Sequence, residues 1–194
     1  MKKIAIVGSG GLGRELLGII QSINRKIETW DILGFYDDNL ISEKINGYPI
    51  IGKIKELNDI REEISVVIAI GNPRVKSIIK NKINNQNIIF PNIIHPSVEI
   101  YSSDNVTFGE GVVIAANVVF TVNIKIGNFV YINTSSVIAH DTCINDFSMI
   151  MPTVSISAGG EIGERVYIGN GAKIDYYVNI PDDTVISSGT ILSG

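Results

Sequence analysis

The chain has 194 residues, enough for one large domain or two small ones, and its 45% hydrophobic and 19% charged content is globular rather than disordered. A net charge of −4 gives no reason to expect nucleic acid or an anionic membrane as partner, and the single cysteine, Cys143, excludes an internal disulfide and fits a reducing cytoplasm. The opening MKKIAIVGSGG is apolar only from Ile4 to Val7, too short for a signal-peptide core, and no segment reaches the ~20 apolar residues of a membrane span, so a soluble cytoplasmic protein is expected.

Residues 1–91 alternate between strand and helix patterns, the grammar of an α/β layer. Ile4 to Val7 reads as a short buried strand, Gly8 to Gly13 as a glycine turn, and Arg14 to Ile23 as a helix with Leu16, Leu17, Ile19, Ile20 and Ile23 on its apolar face. Ile32 to Tyr36 is a second strand ending in Asp37 and Asp38, Ile54 to Ile60 a short helix, and Val66 to Ile70 a third buried strand. Asn72 and Pro73 have the chemistry of an N-cap and first helical residue, opening a helix through Ile83. Pro91 and Pro96 mark the passage into the second half.

Residues 92–194 follow a different rule. From Phe108 to Leu192 every sixth residue is large and apolar, through Ile114, Phe120, Ile126, Ile132, Ile138 and onward to Ile186. Neither a helix of period 3.6 nor a strand of period 2 holds one residue type in register that long; a period of six marks a parallel β-helix of hexapeptides. Two residues before each large position stands a small or β-branched one, such as Val118, Val130, Ser136, Ser148 or Ala172, so large and small inward residues alternate. Glycine often follows the large residue, as at Gly127, Gly163 and Gly169, where a corner with positive φ is expected. Three hexapeptides make one coil, so residues 18 apart stack, and the run amounts to nearly five coils. No long tail is expected to cover the last one.

Gly8, Gly10 and Gly13 fit G-x-G-x-x-G between a strand and a helix, a turn whose backbone amides can cradle a pyrophosphate. Asp37 lies one βαβ unit later, where a carboxylate could accept ribose or base donors; an exposed, solvated turn is the alternative reading of Asp37 and Asp38. A turn that merely packs helix on strand is the alternative; if a ligand binds, the short domain suits a nucleotide-sugar better than NAD. Of the two histidines, His95 beside Pro96 reads as an ordered turn residue. His140 falls two residues after the inward Ile138, on the prism surface, with Asp141 beside it. Histidine is the usual general base at neutral pH and a neighbouring carboxylate fixes its tautomer, but strand neighbours point to opposite faces, so the pair works only at a corner. Val122 one coil below and Ala158 one coil above are small and leave room for a slender acyl–pantetheine arm.

Four motifs, IAIVGSGGLGREL, LGFYDD, VVIAIGNPRVKSII and NTSSVIAHDTCINDFSMIMP, occur in the same order as in the bacterial sugar O- and N-acetyltransferases of the sialic-acid O-acetyltransferase type, and the chain resembles that family over nearly its whole length. The family includes the PglD-like UDP-4-amino-sugar N-acetyltransferases and the perosamine N-acetyltransferases. The resemblance implies a Rossmann-like N-terminal domain, a left-handed β-helix and a homotrimer. It implies His140 as general base supported by Asp141, and Asn133 near the reacting amine. Gly10, Gly11, Asp37, Asp38 and Gly71 would contact the nucleotide-sugar, and Ala158 and Asn170 would line the acetyl-CoA groove between subunits. Three positions depart from the family pattern. Met149 replaces a second histidine that touches the acetyl carbonyl, Leu12 replaces a histidine of the glycine turn, and Asn145 replaces a glycine.

The expected activity is acetyl transfer from acetyl-CoA to the amino group of a nucleotide-linked amino sugar in surface-glycan biosynthesis, by direct attack and without a metal. O-acetylation of a sugar hydroxyl, as in sialic acid, needs the same base and stays open, as does a non-catalytic trimeric scaffold or inactive relative. A zinc enzyme of the γ-carbonic-anhydrase type needs about three histidines against the two present, and an NAD oxidoreductase leaves the repeat unexplained.

Overall fold

The computed structural model describes residues 1–39 and 43–193, which fall into two compact units, Met1–Gly71 with Val75–Pro91, and Asn72–Arg74 with Asn92–Gly194. The first is a Rossmann-like α/β unit. In chain order it comprises β1 (Lys2–Val7), α1 (Gly11–Lys26), β2 (Trp30–Tyr36), β3 (Lys44–Ile45), β4 (Tyr48–Gly52), a 3-10 helix (Ile54–Asp59), β5 (Ile64–Ile68), α2 (Pro73–Lys82) and β6 (Ile88–Ile89). The sheet order is β3-β4-β2-β1-β5-β6, parallel except for the β3–β4 hairpin. Strands buried on both faces read as continuous apolar runs; Ile4 to Val7 at its centre are fully buried.

The element boundaries moved for identifiable reasons. Helix α1 begins at Gly11 rather than Arg14, because Gly10 already accepts the first helical bond, from the Arg14 amide at 3.1 Å. Strand β5 ends at Ile68 rather than Ile70, since its pairing with β1 stops where Val7 meets Ile68. The hairpin of β3 and β4 has no clear apolar alternation in the sequence and is legible only in the sheet. Gly13 is required by a close approach, since a Cβ there would lie 2.1 Å from the Gly8 carbonyl oxygen.

The second unit is a left-handed parallel β-helix. Three parallel sheets, two of six strands and one of five, form its faces. Every large position from Ile114 to Ile180 is buried in one continuous core, with the small positions Val118, Val130, Val154, Val166 and Ala172 between them. The polar small positions are satisfied inside. Ser148 Oγ donates to the Gly163 carbonyl (2.8 Å) and accepts the Val166 amide (3.0 Å), and Ser136 makes the equivalent pair of bonds. Bonding both ways lets a hydroxyl occupy an apolar prism without a desolvation cost.

The β-helix starts earlier than the sixfold run. Ile93–Ile94 and Glu99–Ile100 already pair with Val113–Ile114 and Val119–Phe120. These partners are offset by 20 residues, while Val106–Phe108 pairs with Ile124–Ile126 at the regular 18. Two extra residues enter around the 3-10 turn Ser103–Asn105, so the first rungs lie out of phase with the later ones.

The reading of Gly127, Gly163 and Gly169 as positive-φ corners is corrected. None of them has positive φ; the left-handed conformation falls instead at every sixth residue from Gly111 through Asn117, Asn123, Phe129, Ser135 and Asp141 to Gly189. Glycine follows the large residue for lack of room. A Cβ at Gly163 would lie 2.6 Å from the Asp182 amide nitrogen, and one at Gly169 2.5 Å from that of Ser188. The next coil passes too close for a side chain.

Candidate active site

In the α/β unit, the candidate ligand residues meet at the carboxyl edge of the sheet. β1 lies between β2 and β5, so successive connections leave it in opposite directions, the topology that opens a crevice at strand ends. The glycine turn follows β1, Asp37 and Asp38 follow β2, and Gly71 follows β5. Gly10, Gly11 and Gly71 face open space, with no heavy atom within 4 Å of an added Cβ. The N–H groups of the first turn of α1 have no acceptor within the helix, and no acidic side chain occupies that turn.

Asp37 is not a loose surface carboxylate. Its Oδ2 accepts the Ser9 amide (2.7 Å) and the Ser9 hydroxyl (2.6 Å), and its Oδ1 accepts the Asn39 amide (2.9 Å). Partial burial pushes the carboxyl up, but these donors outweigh it and hold the group below its ordinary value. Asp38 Oδ1 accepts the Ile54 amide at 3.0 Å, capping the 3-10 helix. Both aspartates therefore shape the crevice with part of their acceptor capacity. Ser9, 2% exposed, went unremarked in the sequence because only the register of β1 against β2 brings it to Asp37.

In the β-helix, Asp141 is one of the left-handed corner residues, with φ of 60°. At such a corner the strand alternation that would separate neighbouring side chains is broken, and His140 Nδ1 comes within 2.7 Å of Asp141 Oδ2. The two side chains are 53% and 55% exposed. An ionised carboxylate only accepts hydrogen bonds, so Nδ1 carries the proton and the Nε2 lone pair is left as the basic site. The hydrogen bond from His140, then one from Asn123 Nδ2 to Asp141 Oδ1 (3.0 Å), hold the Asp141 carboxyl below its usual value. His95 is built the other way round. Its Nδ1 accepts the Ser97 amide at 3.1 Å, so its proton sits on Nε2, as befits a turn residue.

The chain resembles known proteins in both units. Residues 3–83 match the family model of the PglD N-terminal domain. The GDP-perosamine N-acetyltransferase of Escherichia coli O157:H7 is 29% identical over 175 residues, covering 90% of this chain and 78% of that protein. The acetyltransferase domain of PglB from Neisseria gonorrhoeae FA1090, solved in complex with acetyl coenzyme A, superposes with a TM-score of 0.90 at 26% identity, covering 99% of this chain and 91% of that one. PerB from Caulobacter crescentus, solved with CoA and GDP-perosamine, gives 0.82 at 26% identity, covering 97% and 87%.

The first unit matches the PglD N-terminal domain family, and over nearly its whole length the chain resembles PglD-like sugar acetyltransferases. It is accordingly an acyltransferase. The β-helix places the other family positions as follows. Ala158 and Gly159 form the coil beside His140 and Asp141, where the Gly159 amide donates to the His140 carbonyl at 2.9 Å. Ala158 is buried and Asn170 exposed. Asn133 is buried, its Oδ1 accepting the Thr134 amide at 2.7 Å. Met149, at the family's second-histidine position, is fully buried, and a thioether donates no hydrogen bond. Lys76 of α2, 1% exposed, escaped the sequence reading; burial pushes its ammonium down to about 7. Among the described residues, no group of three His, Cys, Asp or Glu side chains is placed to hold a metal ion.

Proposed function

We propose that the protein transfers the acetyl group of acetyl-CoA to the amino group of a nucleotide-linked amino sugar, with His140 as general base and Asp141 orienting it. The observation that carries the reading is the exposed His140–Asp141 pair, bonded at 2.7 Å through Nδ1, which turns the basic Nε2 outward. The relatives support the choice of substrates: one is named a GDP-perosamine N-acetyltransferase and another was solved with CoA and GDP-perosamine. GDP-perosamine is therefore the first acceptor to test.

In the reaction, His140 Nε2 takes a proton from the attacking amine as the carbon–nitrogen bond forms at the thioester carbonyl. The same proton is then available to the departing CoA sulfur as the carbon–sulfur bond breaks. Asp141 stabilises the imidazolium between these steps. Met149 supplies no donor, so the oxyanion depends on backbone N–H groups. The open crevice at Gly10, Gly11 and Gly71, braced by Asp37 and Asp38, would take the nucleotide moiety; Asn133 would lie near the amine, and Ala158 and Asn170 along the acetyl-CoA groove.

A cytoplasmic homotrimer acting in surface-glycan synthesis completes the proposal. No helix among the described residues is long and apolar enough to cross a membrane.

The test is His140→Ala. A positioned general base contributes ~10²–10⁴-fold, and the side chain is half exposed, so kcat should fall by about that factor with the fold intact. Near-full activity with GDP-perosamine would sink the assignment. Parallel assays with sialic acid decide between N- and O-acetylation.

A further inference from the structure

We propose that Asn123, one coil below the His140–Asp141 pair, is a positioning residue that holds the Asp141 carboxylate in the orientation His140 needs. The proposal rests on the reading of that pair as the base and its orienter.

The geometry has three parts. Asn123 occupies the left-handed corner 18 residues before Asp141, with φ of 56°. The two corners are in register because the Asp141 amide donates to the Val122 carbonyl at 3.2 Å and Lys125 pairs with Cys143. Asn123 Nδ2 then donates to Asp141 Oδ1 at 3.0 Å, while His140 Nδ1 takes Oδ2 at 2.7 Å. Each carboxylate oxygen has its own donor, one from the same coil and one from the coil below, and the planar group cannot rotate without losing both.

The direction of the amide follows from chemistry. An ionised carboxylate cannot donate, so the nitrogen end of Asn123 must face it. The carboxylate matters most at this half-exposed site, where water competes for its oxygens. A free carboxylate would rotate and accept from solvent, and the imidazole would lose its preference for the proton on Nδ1. A second donor fixed to the adjacent coil removes that freedom at little entropic cost, since the corner backbone is already set by the ladder.

Asparagine also suits a left-handed corner for backbone reasons alone, and the test separates the two roles. Asn123→Gly keeps the corner conformation and removes only the amide. We expect it to lower kcat roughly 3- to 10-fold, the scale of one hydrogen bond, with KM for both substrates unchanged. In an Asp141→Asn background the same change should have almost no effect, because the residue it acts through is gone. Nitrogen-15 NMR gives a readout independent of turnover. The chain has only two histidines, and they are expected in opposite tautomers, His95 protonated on Nε2 and His140 on Nδ1. Asn123→Gly should shift the His140 signals toward the Nε2-protonated form and leave those of His95 in place. Unchanged His140 signals, or rate losses that simply add in the double variant, would overturn the positioning role. A fully active His140→Ala enzyme would instead overturn the underlying reading, so the two failures are distinct.

Discussion

Asp141→Asn tests the chemistry of the pair most directly. The substitution keeps the size of the side chain and removes its charge, so His140 is no longer compelled to carry its proton on Nδ1 and the imidazolium loses its counter-charge. Where an aspartate behind a catalytic histidine is deeply buried, this exchange can cost ~10⁴-fold. Here the two side chains are 53% and 55% exposed, and water screens the pair and competes for its hydrogen bonds. The expected loss is therefore roughly 10- to 100-fold in kcat/KM, smaller than that of His140→Ala. The assay is steady-state release of the CoA thiol with GDP-perosamine as acceptor, from pH 6 upward, where the ordinary carboxylate is ionised (about 3.9). The Asp141 carboxyl is held below its ordinary value by His140 and then Asn123, so in the wild type its contribution is present throughout that range and fades only as pH falls through the depressed value. An Asp141→Asn enzyme with wild-type kinetics would refute the orienting role. A loss as large as that of His140→Ala would refute the argument from exposure.

Two further outcomes follow from the α/β unit. Gly13→Ala should destabilise the protein by about 3 kcal/mol, since its Cβ would meet the Gly8 carbonyl oxygen at 2.1 Å, whereas Gly10→Ala should leave urea unfolding unchanged and weaken nucleotide-sugar binding measured by calorimetry; equal stability of the two variants would contradict the packing assigned to the turn. Lys76 is held at about 7 in the fold by burial and returns to its ordinary value near 10.4 on unfolding. Between those values the unfolded chain holds a proton that the folded one lacks, so stability should rise with pH, at up to ~1.4 kcal/mol per pH unit. Lys76→Met should remove that slope from urea unfolding between pH 7.5 and 9.5, and an unaltered slope would show that the folded lysine keeps its proton.

The sequence pattern marks the candidate residues, and the fold brings some of them together. The sixfold rhythm places His140 off the inward positions, and the left-handed φ of Asp141 supplies the corner that the pair requires. Gly10, Gly11, Asp37 and Gly71 were singled out separately by motif and resemblance, and the order of β1, β2 and β5 brings them to one edge. Asn123 was missed because an asparagine three residues after the inward Phe120 has no local signature; its partner is 18 residues away.

The amino-acid sequence by itself determined the architecture of the second unit, because each hexapeptide meets nearly the same surroundings and a local pattern repeated along the chain is sufficient to specify a prism. It also marked the histidine and aspartate, whose adjacency in the chain survives folding. Only the tertiary structure decided what depends on register between coils or strands. Two extra residues near Ser103 shift the first rungs out of phase. Gly163 and Gly169 are small because the next coil passes within 3 Å of where a side chain would be, not because of their own φ. Ser9 and Asp37, Asn123 and Asp141, and the burial of Lys76 are of the same kind. Each joins residues that the chain separates, and hydrogen bonding and desolvation act on distance in space, which no local pattern encodes.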